Sequence, residues 1–234
     1  MWDEEVMHGT AGRTATIHAA AEERLAFVRR VYSIFLGSLL VAGFGVYEAL
    51  TNDAVMRFAF GLLNTHWLLY IGIVFGSVWL VQALSLKPTI NIIAFYAFAL
   101  FFGIVTSPLI YLAAQQTGGY EVVWHAGSLT VLVFGGLTVY AFTTRRDFTL
   151  WGSMLFTGLI VAFGFSMLGI FFGFAGNPGL SLLWILLISG YVLYDTQMIL
   201  RRYSPEQAIP AAMALFIDFL VLFQRILFLF MRRR

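Results

Sequence analysis

Cysteine is absent from this chain of 234 residues. That excludes a disulfide framework, a thiol nucleophile and thiolate ligation of a metal. Lysine is almost absent: of 14 cationic residues only Lys87 is lysine, the rest being arginine. Charge of either sign is scarce, at 11% of residues, where an ordinary soluble domain has about 25%. So little charge cannot clothe a soluble globule, and intrinsic disorder needs the opposite bias. A net charge of +2, with no basic patch interleaved with exposed aromatics, excludes nucleic acid as a partner. The four histidines His8, His18, His66 and His125 are scattered, and no His/Asp/Glu cluster has the spacing of a zinc site. Glu121 and His125 share a helical face at i, i+4, which reads as a solvated helix start.

What the sequence does have is hydrocarbon. Sixty per cent of residues are hydrophobic and 17% aromatic, and the partner that absorbs such a surface is a lipid bilayer. A helical span needs about 20 mostly apolar residues. Seven segments qualify: 31–50, 67–86, 89–114, 122–142, 148–174, 180–200 and 209–231. The separators are turn-like or charged: Thr51–His66, Lys87-Pro88, Gln115–Glu121, Thr143–Asp147, Gly176-Asn177-Pro178-Gly179 and Arg201–Ala208. No period-two alternation marks a β-barrel. Residues 1–24 read as a polar cytoplasmic tail, helical from about Ala19, without the charged-apolar-small order of a cleavable signal. Residues 25–234 then form a single transmembrane domain.

Cationic residues mark cytoplasmic loops. Arg24, Arg29 and Arg30 precede the first segment, Lys87 follows the second, Arg145 and Arg146 the fourth, and Arg201 and Arg202 the sixth. The alternate loops hold only Arg57. This places the N-terminus inside. Arg232-Arg233-Arg234 disagrees, since seven spans carry it outside; a re-entrant last segment is the alternative. Gly72/Gly76 and Gly169/Gly173 have the spacing that lets helices approach closely. Ser107-Pro108 should kink the third segment.

Charge inside a span is expensive and marks a functional candidate. Four such residues occur: Glu48, Asp195, Asp218 and Arg225. Glu48, three residues from the end of the first segment, reaches the interface. Asp195 lies six residues before Arg201, about 9 Å into the membrane at 1.5 Å per residue. Asp218 lies eight residues beyond Pro210, about 12 Å in. The two helices run antiparallel through one short loop, so the carboxyl groups are expected to face each other. Two facing carboxylates cannot both hold charge cheaply in a low dielectric, and such a pair tends to share a proton. It serves as a proton-sensitive latch, a cation site or an acid/base dyad. Arg225, about 10 Å beyond Asp218 on the same helix face, needs a counter-charge. Glu48 is the candidate, with a gating role or a structural ion pair as the two readings.

Several membrane machines are excluded. A retinal pigment needs a lysine deep in a span for its Schiff base, and Lys87 sits in a loop. No Gly-x-Ser-x-Gly run supports a serine hydrolase. Intramembrane aspartyl proteolysis is a closer rival, because Tyr194-Asp195 matches its first motif. Its second needs Gly-x-Gly-Asp, where this chain has Phe216-Ile217-Asp218.

The run Gly190-Tyr191-Val192-Leu193-Tyr194-Asp195-Thr196-Gln197-Met198-Ile199, then Ala214-Leu215-Phe216-Ile217-Asp218-Phe219-Leu220-Val221-Leu222-Phe223 and Arg225-Ile226-Leu227, resembles the Bax-inhibitor family, also called the transmembrane Bax-inhibitor-motif family. Phe98–Gly103 with Thr106-Ser107-Pro108 fits as well, and the Arg13-Thr14-Ala15 tail looks like bacterial members. The resemblance covers essentially the whole chain. It implies seven transmembrane helices, six surrounding a central seventh, with Asp195 and Asp218 as a hydrogen-bonded, proton-sensing pair and Arg225 as the arginine of the last span. It implies a proton-sensitive calcium leak in some members, and restraint of cell death or of a membrane-bound AAA protease in others. Some members carry a charge inside span two and an arginine latch at its end; Trp67–Leu86 here has no charge.

The leading expectation is a proton-gated cation leak, with calcium as the transported ion, in a bacterial inner membrane. Asp195 and Asp218 form the pH sensor and a weak, transient calcium contact, since two carboxylates are too few ligands for tight binding. No enzyme activity and no resident cofactor is expected. The second reading is a non-conducting regulator that binds a membrane protease or another membrane partner, and the third is an aspartyl protease.

Overall fold

The computed structural model describes residues 2–83, 88–174 and 177–231. Leu84–Leu86, Lys87 and Arg232–Arg234, which entered the reasoning on spans and orientation, lie outside the described residues. Among the described residues all regular structure is helical: α1 (Trp2–Thr51), α2 (Asp53–Asn64), α3 (Trp67–Ala83), α4 (Pro88–Thr117), α5 (Glu121–Thr143), α6 (Gly152–Phe172), α7 (Pro178–Arg201) and α8 (Ala208–Met231). Short 3-10 turns at Phe148–Trp151 and Pro205–Gln207 lead into α6 and α8.

Among the described residues six segments are long and apolar enough to cross a bilayer: Glu22–Thr51, Thr89–Thr117, Glu121–Thr143, Phe148–Phe172, Pro178–Arg201 and Pro205–Met231. They coincide with six of the seven expected spans. The remaining one corresponds to α3, whose 17 described residues fall short of the usual length, with Gly72–Val81 as its apolar stretch. Two expectations are corrected. The tail does not begin its helix at Ala19; α1 runs unbroken from Trp2, and no proline occurs before Lys87 to stop it. The separator Thr51–His66 is not a plain loop but contains α2. Asn52 caps it, its side chain accepting from the Ala54 amide at 2.9 Å, and Ala59 and Leu62 are its buried positions.

The other boundaries follow local chemistry. Asn177 accepts from Gly179 N–H at 2.8 Å and Pro178 opens α7. Ser204 and Gln207 form a capping box before α8. Gly118, at φ 78°, lies in the turn after α4, and Gly173, at φ 77°, ends α6. Gly173 is thus a helix terminator rather than half of a packing pair. A Cβ on Gly72 or Gly76 would meet nothing within 4 Å, so that pair makes no close helix contact either. α4 continues through Pro108. The carbonyl of Ile104, to which residue 108 has no amide to donate, accepts instead from the Ser107 hydroxyl at 2.6 Å.

Close helix approach occurs elsewhere. α1 packs along α4, and a Cβ on Gly103 would fall on the backbone of Ala42, while one on Gly45 would come within 2.5 Å of the Leu100 carbonyl. α8 packs against α1, α3, α4, α5 and α7, and α6 packs on α7. Aromatic rings centre this packing. Phe216 of α8 meets Phe95 edge-on at 5.8 Å, and Phe219 meets Phe134 at 5.5 Å. Residues such as Leu40, Phe171 and Leu186, each more than 70% exposed, give the outer surface the apolar character that hydrocarbon tails require.

Replacing Gly103 by Leu forces α1 away from α4. The expected loss is about 1–3 kcal/mol, read as a lower thermal midpoint of the purified protein. The same change at Gly76, which faces open space, should leave the midpoint in place.

Candidate functional site: two buried aspartates at one end of the bundle

α7 buries Ile188, Val192, Asp195, Thr196 and Ile199, an i, i+4, i+7 face. α8 buries Ala211, Leu215, Asp218 and Leu222 along its own. The antiparallel pair joined through residues 202–207 brings these faces together. Asp195 is 9% exposed and Asp218 4%. Their carboxyl groups meet within hydrogen-bonding reach, as the spacing predicted. Oδ2 of Asp218 is buried and closes no well-defined hydrogen bond among the described residues. Two ionised carboxylates have no hydrogen to offer each other, so a hydrogen bond between them requires that one of the two carry a proton.

Tyrosines stand around the pair. Tyr191 and Tyr203 lie close enough to both aspartates for their charges to act on one another. Tyr203 is in the turn outside the spans. Burial pushes its phenol up to about 12, and the negative charge of Asp195 adds to the effect. Further polar side chains are buried on the same end of the bundle. The hydroxyls of Tyr32, Thr138 and Thr196 face one another without closing a well-aligned hydrogen bond. Asn91, fully buried on α4, has neither amide atom paired among the described residues.

Two residues that sequence reasoning did not single out fasten this end. Gln197, fully buried, accepts from the Phe148 amide at 2.6 Å and donates to the Arg146 carbonyl at 2.8 Å. It thereby ties the α5–α6 turn to the helix that carries Asp195. Arg24 donates to the carbonyls of Leu200, at 2.8 Å, and Tyr203, closing the open end of α7. Arg24 counted in the sequence only as one of the inward-biasing cations. Nothing but folding shows that it spans the gap between residue 24 and residue 200. Gln197 had a signal, since it follows Asp195 by two residues in the family motif.

Arg225 and Glu48 are not brought together. The guanidinium of Arg225 sits over the ring of Trp184 at 4.8 Å. Trp184 in turn donates from Nε1 to the Ser166 hydroxyl at 2.9 Å. Its aromatic face, rather than a carboxylate, answers the charge of Arg225. Glu48 is half-buried one turn before the end of α1, in keeping with an interfacial place. Among the described residues the one ion pair is Arg201–Asp147, at 3.5 Å, joining the last residue of α7 to the α5–α6 turn. There Asp147 is held below the usual carboxylate range by hydrogen bonds from Thr149, with Arg201 and Arg202 assisting.

These features define a class: an all-helical, multi-pass membrane protein with a paired carboxyl site enclosed between its last two helices. A family model described as inhibitor of apoptosis-promoting Bax1 matches residues 24–234, and the chain belongs to the Bax inhibitor family. An uncharacterised protein of Campylobacter jejuni is 33% identical over 205 residues, covering 86% of each chain. Protein lifeguard 4 of Mus musculus is 31% identical over 229 residues, covering 96% of this chain and 91% of its own. Bax inhibitor 1 of Schizosaccharomyces pombe is 30% identical over 222 residues, covering 92% and 79%.

Gln197→Leu leaves the buried Phe148 amide and Arg146 carbonyl without their partner. The expected destabilisation is about 1–3 kcal/mol. It should be accompanied by faster hydrogen exchange at Phe148, while amides of α1 and α4 keep their protection.

Proposed function

We propose that the protein is a proton-gated leak path for a hard cation, with calcium as the ion carried, and that Asp195 and Asp218 are its pH sensor. The observation that carries this reading is the meeting of two buried carboxyl groups between neighbouring helices. Adding or removing one shared proton changes the charge between α7 and α8 by one unit, and so biases α8 between two packings. Carboxylate oxygens suit a hard cation. No group of three or more His, Asp and Glu residues is gathered among the described residues, so the contact is weak, as permeation requires. Calcium is here cargo rather than a resident cofactor. In this reading α3 serves as the second of seven spans and the other helices ring α8, for which its contacts with α1, α3, α4, α5 and α7 speak. The bacterial relative and the arginine-rich turns support an inner-membrane protein with its N-terminus in the cytoplasm. Arg225 on Trp184 then steadies α8 against α7.

We infer no enzyme activity. The dyad is enclosed, and neither the cavity lined by Thr117–Gly119, Glu121 and His125 nor the one lined by Gly43, Val46, Gly127 and Val131 includes an aspartate of the pair. A peptide substrate has no approach through them. The names of several relatives favour a second reading. Bax inhibitor 1 and the Golgi anti-apoptotic protein of vaccinia virus are named for restraint of another process. On that reading the chain is a non-conducting regulator of a membrane protease or similar partner, contacted through residues 1–24.

Calcium entry into liposomes holding the purified protein, scanned from about pH 5 to 8, should vary with pH. The variation should vanish in the variant with both Asp195→Asn and Asp218→Asn. A variant profile that matches the wild type refutes the sensor. Deleting residues 1–23, which spares Arg24 and its bonds to Leu200 and Tyr203, should leave flux unchanged; loss of a co-purifying membrane partner, with no flux in either form, is the result that favours the regulator.

A further inference from the structure

α1 and α5 are bridged by aromatic rings at one end of the bundle and stand apart at the other. Near the dyad end their rings fill the space: Tyr32 meets Phe142 at 5.9 Å, and Phe35 stacks on Phe134 at 5.3 Å. Toward the opposite end the facing positions are Gly43 and Gly127, where a Cβ would meet nothing within 4 Å. The result is a crevice of about 650 Å³, walled by Gly43 and Val46 of α1 and by Gly127 and Val131 of α5. Phe219 and Phe223 of α8 form its floor. Trp124, 77% exposed, stands at its rim, three residues from the start of α5, where an amphipathic ring marks the membrane interface.

We propose that this crevice is a binding site for one acyl chain of a bilayer lipid. Its α1 wall lies within the span Glu22–Thr51 and its α5 wall within Glu121–Thr143, so the medium at its mouth is hydrocarbon. Water is a poor occupant, because each buried water needs two to four polar partners. Thr106, one of the few polar side chains lining the crevice, already accepts from Gln224 Nε2 at 3.0 Å. A partner helix is also a poor occupant. A helix about 10–12 Å across with a 5.4 Å pitch fills roughly 500 Å³ per turn, so the crevice admits little more than one turn. A single flexible chain entering from the bilayer fits its length and chemistry. It reaches Phe219 and Leu220, the two residues that follow Asp218 in α8, and so touches the helix that carries half of the dyad. The site is independent of the cation-leak reading and stands whether or not the protein conducts.

The test uses the full chain in phosphatidylglycerol and phosphatidylethanolamine liposomes doped with a phospholipid bearing a diazirine on its acyl chain. Irradiation followed by peptide mapping should label Phe219 and Phe223, which are only partly exposed and are reached through the crevice. Labelling at both should be lost in the variant with Gly43→Leu and Gly127→Leu, and each single change should lower it. Gly164→Leu on α6, which also faces open space, should leave it unchanged. Absence of label at Phe219 and Phe223 in the wild type overturns the proposal. So does labelling that survives the filled crevice, or label replaced there by a cross-linked polypeptide. If the double variant does not yield a monodisperse protein, the two single variants decide.

Discussion

The costliest feature of this chain is a pair of carboxyl groups buried in a bundle that holds little other charge. An isolated carboxylate buried in a low-dielectric interior pays a large desolvation penalty. Two such groups brought together can share one proton, which removes half the charge and satisfies an oxygen on each side. The rest of the structure arranges itself around this. α7 and α8 must run antiparallel through a short turn, their faces must be in register to within about a helical turn, and that register must be held.

The holding is done by residues that carry no buried charge themselves. Gln197 uses both ends of its amide on the α5–α6 turn. Arg24 reaches from α1 to the carbonyls that end α7. The aromatic floor of Phe95, Phe98 and Phe216 presses α8 against α4. Arg225 is met by an aromatic face, not by an acid. Its charge is therefore partly answered without drawing Asp218 away from Asp195. The two halves of the bundle differ accordingly. One end gathers the dyad with Tyr32, Asn91, Thr138 and Thr196; toward the other, α1 and α5 part over an apolar crevice.

Much of this was legible in the residues. Hydrocarbon run length located six crossing helices, because backbone groups in a bilayer must pair within the segment and apolar length is then decisive. The pairing of Asp195 with Asp218 followed from equal depth on adjacent antiparallel helices. The expectations that failed concern contacts between elements. Gly72/Gly76 and Gly169/Gly173 had the spacing of packing pairs, yet the close approach falls at Gly45 and Gly103, since spacing marks a face without naming the neighbour on it. Arg225 was expected to find a carboxylate, and a tryptophan on α7 was nearer. The stretch Thr51–His66 was expected as a separator; within it Asn52 and Asp53 are the cap and first turn of α2.

The sequence by itself determined the class: membrane-spanning helices, their number to within one, two deep carboxyls at matched depth, and no cysteine to supply thiol chemistry. These depend on composition and on distance along a helix, which local rules govern. The tertiary structure alone decided which side chains close the site and where the bundle opens. The reach of Arg24 to residue 200, the seat of Arg225 on Trp184, and the crevice between Gly43 and Gly127 each join residues more than forty positions apart in the chain. Packing of whole helices sets such meetings, and no local pattern of residues encodes them.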